Sequence, residues 1–163
     1  MTDPRPRAVR APLPSRRPLA VLAALALLPA AARATLGEQA ASVGADRRAL
    51  AAVSRGAVDH GRYAVHELAT GGSTVREYLT PSGQVFAIAW SGYSHPDLAP
   101  LLGGYAAEYQ EARRQTARVP GLRRSRVASG RAVVETWGHM RDLHGRAYAP
   151  ALVPAGVGLD EIR

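Results

Sequence analysis

The chain predicts an α+β domain in which an antiparallel β-meander of four to five strands packs on one main amphipathic helix, in the order β-β-β-α-β-β. Three observations predict it. Residues 63–90 divide into three short β-branched and aromatic runs separated by Gly and Pro. Residues 97–114 carry apolar side chains at helical spacing. Residues 131–148 give two further short runs joined around Gly138-His139.

The N-terminus reads as a targeting segment rather than as part of the domain. Arg5, Arg7, Arg10, Arg16 and Arg17 stand against Asp3, and Leu19 to Ala32 then runs without a charge, interrupted by Pro29. Ala32-Arg33-Ala34 places small residues where a signal peptidase reads. The apolar run falls short of the ~20 residues that span a bilayer. A cleaved signal peptide over residues 1–34, cut after Ala34, is therefore expected. Ser15-Arg16-Arg17-Pro18-Leu19 also resembles a twin-arginine signal, so either export route stays open.

This segment changes the meaning of the charge. The 163 residues carry 21 Arg, no Lys and 13 acids, a formal +8. Residues 1–34 hold +5 of it, and residues 113–131, with seven Arg and no acid, hold +7. The remainder is −4. Apparent basicity thus belongs to an export signal and one segment, and it is no argument for a nucleic-acid binder. The absence of Cys excludes disulfides, thiol nucleophiles and Cys-based zinc sites. The length left after removal of the signal suits one domain held by packing alone.

Residues 35–60 read as an Ala-rich lead-in, with a short helix possible from Ser42 to about Val53. The domain proper is expected over residues 61–163. Its meander comprises Tyr63–Leu68, Ser73–Leu79 and Gln84–Trp90. Gly71-Gly72 signals a two-residue hairpin in which both glycines take positive φ. That turn pairs residues whose numbers sum to 143, so Glu67 faces Arg76 and His66 faces Glu77. Pro81-Ser82-Gly83 suits a three-residue turn with Gly in the left-handed region. It pairs residues summing to 164, so Tyr78 faces Phe86, and Ile88 and Trp90 share a face with Tyr63, Val65 and Tyr78. Val85–Trp90 is apolar on both faces and reads as central.

Asp97 or Ser94 can start the helix, whose stripe is Leu98, Leu101, Leu102, Tyr105, Ala106 and Tyr109. Gly103-Gly104 within it suggests a close approach to another backbone. Residues 113–131 read as an Arg-rich loop. Arg131–Trp137 and Arg141–Tyr148 follow as strands, and residues 150–163 as a closing segment.

Three stretches carry a resemblance. They are Tyr63-Ala64-Val65-His66-Glu67, then Val75-Arg76-Glu77-Tyr78 through Gly83-Gln84-Val85-Phe86-Ala87-Ile88-Ala89-Trp90, then Gly138-His139-Met140-Arg141 with Gly145-Arg146-Ala147-Tyr148 and Pro150. Pro96-Asp97-Leu98 and Leu101-Leu102-Gly103 join them. Together they resemble the domain-of-unknown-function 2844 family of short exported proteobacterial proteins, over about residues 35–163. The Thr35-Leu36-Gly37 start after a signal peptide is similar to the family's own. The resemblance implies export and one small domain. It implies no activity, so no functional residue is carried over.

Several residues are candidates for chemistry. His139, Arg141, Arg146 and His66 are the candidate ligand-binding set; Arg141 and Arg146 near Tyr148 could clamp a carboxylate or phosphate. His66 opposite Glu77 could act as an acid–base pair, and equally as a plain cross-strand contact. His139 and His144, five apart around Asp142, converge neither on a helix nor on a strand, so no metal site is expected. Trp90, Tyr93 and Trp137 could line a groove, although a Trp on a central strand is ordinarily core. Arg113, Arg114, Arg123, Arg124 and Arg126 are candidates for polyanion or membrane-surface contact, with a solvated loop as the plain alternative. They lack interleaved aromatics for base stacking. No Gly-x-Ser-x-Gly elbow supports serine-hydrolase chemistry.

The expected function is an exported, periplasmic or secreted, non-enzymatic binding or envelope-interaction module, monomeric and without cofactor. A small periplasmic enzyme or ligand-binding protein using His and Arg around Gly138–Gly145 is the alternative. Convergence of His139, Arg141, Arg146 and His66 on one pocket would favour that alternative. A polyanion or membrane-surface binder working through the Arg-rich segment is the third reading, and no specific nucleic acid is expected as a partner.

Overall fold

Each run of β-branched and aromatic residues in the chain finds an antiparallel partner, and one seven-stranded sheet results. The structure, a computed structural model, describes residues 36–40, 47–48, 50–117, 119 and 121–163. The expected signal segment, its cleavage point and Ser42 lie outside the described residues. The strands are β1 (Val53–Asp59), β2 (Ala64–Ala69), β3 (Ser73–Leu79), β4 (Val85–Gly92), β5 (Arg124–Ala128), β6 (Val133–His139) and β7 (Asp142–Tyr148). Their order across the sheet is β1-β2-β3-β4-β7-β6-β5, antiparallel throughout. The class is α+β, as expected, but two strands exceed the expected number.

Both additional strands are edges. β1 occupies the end of the expected lead-in, beyond the short helix expected from Ser42 to about Val53, of which only Arg47 and Arg48 are helical among the described residues. Every residue of β1 is exposed. β5 occupies the middle of the segment expected to be a loop, and in it Val127 alone is buried. A strand with solvent on both sides shows no apolar alternation, so neither could be read from periodicity. The lead-in also packs: Leu36 is buried and donates its N–H to the Leu101 carbonyl at 3.0 Å.

The β2–β3 ladder has the expected register, with Glu67 opposite Arg76 and His66 opposite Glu77. The turn chemistry differs, because neither Gly71 nor Gly72 takes positive φ. Gly72 instead lies close against the loop after β4: an added Cβ would lie 2.4 Å from Ser94 Oγ and turn that hydroxyl aside. Gly83 does take the left-handed conformation, at φ 82°.

The β3–β4 ladder corrects the expected faces. Leu79 pairs with Val85, but Tyr78 pairs with Ala87, so Phe86 is the extra residue of a β-bulge. Beyond it every side chain changes sides relative to an unbulged ladder. Val85, Ile88 and Trp90 therefore join Leu68, Val75 and Leu79 on the helix side. Phe86, Ala87 and Ala89 join Tyr63 and Tyr78 on the other. β4 is central and buried on both faces from Val85 to Trp90.

The helical layer consists of α1 (Leu98–Leu102), a 3₁₀ turn (Gly103–Tyr105) and α2 (Ala106–Gln115). Asp97 caps it, accepting from Ala99 N–H at 3.0 Å. The expected stripe packs on the sheet, with Leu101, Leu102 and Tyr109 buried. Gly103 breaks the helix at φ 45°, and Gly104 has open space beside it, so the pair relieves a kink rather than admitting a backbone. The closing segment covers the opposite face through Leu152, Val153, Val157 and the fully buried Ile162. Tyr78 Oη donates to the Arg163 carbonyl at 2.8 Å and receives the Arg163 N–H at 3.0 Å, which pins this segment down.

Candidate functional site

The antiparallel register aligns charges into a row across the tail-side face: Arg126, Glu135, Arg146, Ala89, Arg76 and Glu67 follow one another on successive strands. Glu135 is the hub. Its Oε2 receives Nε of Arg146 at 2.7 Å and Nη2 at 2.6 Å, and its Oε1 receives Nε of Arg126 at 3.1 Å. Arg146 also donates to the Leu159 carbonyl. Arg76 donates to Glu67 at 3.0 Å. Arg146 thus ties β6, β7 and the closing segment together, its donors committed to protein acceptors.

The other candidates of the ligand-binding set are not brought to it. His66 is half-buried on the helix side of β2. His139 is exposed where β6 meets its turn. Arg141 lies in the two-residue turn between β6 and β7, at φ 65°, with its guanidinium 5.4 Å from the centre of the Tyr93 ring. The four occupy two faces and one end of the sheet and form no common pocket. Among the described residues no group of three or more His, Cys, Asp or Glu side chains could hold a metal. His144 is held by Asp142 at 2.8 Å and stacks on Trp137 at 6.0 Å between ring centres.

The Arg-rich set fares differently. A groove of about 1130 Å³ runs between the helical layer and β5. Arg113 of α2 and Arg124 and Arg126 of β5 line it, together with Leu98, Tyr109 and Leu122. Arg113 and Arg124 make no ion pair among the described residues. Arg126 is held by Glu135, and Arg114 by Glu111 at 2.6 Å. Arg123 is exposed beside the groove. The one acid on the lining, Asp97, is engaged as the helix cap. The groove is therefore cationic with an apolar wall. A second groove, of about 840 Å³, crosses the tail-side face past Arg76, His144 and Arg163, with Glu67 and Glu161 among its lining residues.

Sequence reasoning missed His95, which lines the cationic groove. Trp90 Nε1 donates to His95 Nδ1 at 2.9 Å. An indole nitrogen only donates, so His95 Nδ1 is the acceptor and any ring proton sits on Nε2. Burial of the ring holds its pKa below the usual value. Gly145 makes room for that Trp: a Cβ there would lie 2.2 Å from Trp90 Cζ2. A five-residue separation between Trp and His carries no periodic signal, and only the loop after β4 brings the rings together.

The β5–β6 turn is fastened to the helical layer by Arg131, whose N–H and Nε each reach Glu108 at 3.0 Å. Desolvation raises the Glu108 pKa, but the Arg131 hydrogen bonds outweigh it and the net shift is downward. This contact closes the far end of the helix–β5 space.

No curated protein and no solved structure matches the chain. The family model described as "Protein of unknown function (DUF2844)" matches residues 32–162, and the chain belongs to that family.

Proposed function

We propose that the protein is an exported, non-enzymatic binding module of the cell envelope, and that the groove between the helical layer and β5 takes an anionic ligand with an apolar portion. The observation that carries this reading is the pairing state of the arginines. Arg146 and Arg126 are committed to Glu135 on the tail-side face, whereas Arg113 lines the groove without an acidic partner among the described residues, and Arg124, on the same face of β5 as Arg126, borders the groove at the sheet edge, also unpaired among the described residues. Guanidinium groups favour carboxylate and phosphate oxygens. Leu98, Tyr109 and Leu122 supply an apolar wall for the rest of the ligand. His66 on the helix side of β2 and His139 at the end of β6 stand apart, which supports the binding reading over the enzyme alternative.

The binding claim is tested by calorimetric titration with a long-chain alkyl phosphate and with the alcohol of the same chain length. The phosphate should bind and the alcohol should not. Arg113→Ala and Arg124→Ala should each weaken binding about fivefold, the upper end for one solvent-exposed ion pair. Equal binding of phosphate and alcohol, or binding unchanged in the double variant, overturns it. Export is tested by mass spectrometry of the accumulated protein, whose N-terminus should be Thr35. An intact Met1 start overturns that part.

A further inference from the structure

Among the described residues, one end of the sheet gathers most of the large apolar side chains that the fold leaves in water. The β2–β3 hairpin, the loop after β4, the β6–β7 turn and the approach to β5 all lie at this end, as the pairs Ser73 with Gly92, Gly92 with Leu143, His139 with Asp142 and Arg124 with Trp137 require. Met140 is 90% exposed, Tyr93 68% and Leu122 65%. Val119, in the same approach to β5, is also exposed. Three loops thus each present an apolar tip at one end of the molecule.

Arginines outnumber carboxylates among these tips. Arg123, Arg124 and Arg141 are exposed there. The neighbouring acids are engaged, Asp142 with His144 and Asp97 as the helix cap. The Arg141 guanidinium sits over the Tyr93 ring, so a cation and an amphipathic aromatic advance together. Arg141 also holds positive φ, which is uncommon for a non-Gly residue and sets the turn that projects Met140.

From this placement we infer that the end formed by Tyr93, Leu122 and the Met140–Arg141 turn is a docking surface for an anionic lipid bilayer. Tyr at the level of the headgroups, apolar tips beneath and Arg at the phosphates is the chemistry of an interfacial anchor. A bilayer fits better than a folded partner because the tips stand on separate loops with polar residues between them. A fluid surface accommodates such points singly, whereas a protein interface needs a contiguous apolar core. The sign of the charge selects anionic headgroups. Met140, Tyr93 and Arg141 do not line the groove, whereas Leu122 stands at its mouth, so the Arg141 variant reports on this surface independently of the groove's ligand.

The test is co-sedimentation of the protein, in the form in which it accumulates, with phosphatidylcholine vesicles and with vesicles that also contain phosphatidylglycerol. The protein should partition to the anionic vesicles, and added salt should release it. Tyr93→Ser, Leu122→Ser and Met140→Ser combined should reduce partitioning at least tenfold. Arg141→Gln alone should reduce it about fivefold, the value of one basic side chain near a charged surface. Circular dichroism of each variant controls for folding, and Met140→Ser alone, at a fully solvated turn, should keep the fold in any case. Arg113→Ala, in the groove, should leave partitioning unchanged, which separates this surface from the groove's ligand. Equal partitioning to neutral and anionic vesicles, or retention of binding in the triple variant, overturns the inference. So does a wild-type dimer that the triple variant converts to monomer, because the surface would then join two copies of the chain.

Discussion

Trp90 and His95 are joined by a hydrogen bond from indole Nε1 to imidazole Nδ1 at 2.9 Å, with their rings edge to face. The bond exists only while Nδ1 is unprotonated, and burial lowers the His95 pKa in the same direction. A histidine whose folded-state pKa lies below its unfolded value of 6.5 binds more protons when unfolded. Its contribution to stability is therefore complete above about pH 6.5 and is lost as pH falls through the folded-state pKa. The thermal midpoint should drop across this window, and part of the drop should vanish in His95→Phe. The other histidines stay in both proteins, so the wild-type minus variant difference isolates His95. A difference independent of pH rules the coupling out.

Gly145 is the complement of the same Trp. An added methyl would lie 2.2 Å from Trp90 Cζ2 and 2.9 Å from the Glu135 carbonyl. Both neighbours are buried or held in a ladder, so they have little room to move. Gly145→Ala should destabilise the protein by about 2–3 kcal/mol, the cost of overpacking a close-packed core. Chemical denaturation measures it, and a loss of less than about half that figure would mean that the indole shifts freely.

Glu135 anchors two arginines, and its side chain is 17% exposed against 60% for Arg126. Removing the hub leaves Arg146, itself 19% exposed, short of its carboxylate. Glu135→Ala should cost about 2 kcal/mol, less than the figure for a fully buried pair because some water reaches it. Arg126→Ala, on the open side, should cost less than about 1 kcal/mol. Equal losses for the two would mean that the row is a surface feature without a centre.

The β6–β7 turn contains two opposite backbone tests. Arg141 holds φ 65° with a side chain that disfavours it. Arg141→Gly should be neutral or gain up to about 1 kcal/mol, the strain relieved being set against the greater freedom of Gly when unfolded. Gly138 has φ 117°, and a Cβ there would lie 2.1 Å from the Asp142 carbonyl. Gly138→Ala should lose at least about 2 kcal/mol. Thermal melts of both variants should move in different directions or differ plainly in size.

The sequence by itself determined the elements that bury one face. The helix stripe from Leu98 to Tyr109 and the β2–β3 register followed from period and turn length alone, because an apolar side chain must find the core and a two-residue turn leaves one pairing. Only the tertiary structure decided the edges, the bulge and the site. β1 and β5 take their conformation from partners β2 and β6 rather than from burial of their own side chains, so they leave no periodic trace. The bulge at Phe86 depends on how both layers fill, and it alone carries Ile88 and Trp90 to the helix side. The same holds for function. The arginine-rich segment was legible as a run of charge. Arg114 meets Glu111 one turn away on its own helix, but which other arginines are neutralised and which border a groove depended on Glu135 and Glu108 arriving from other elements. Pairing is a relation between strands and helices far apart in the chain, and only folding brings those partners within reach.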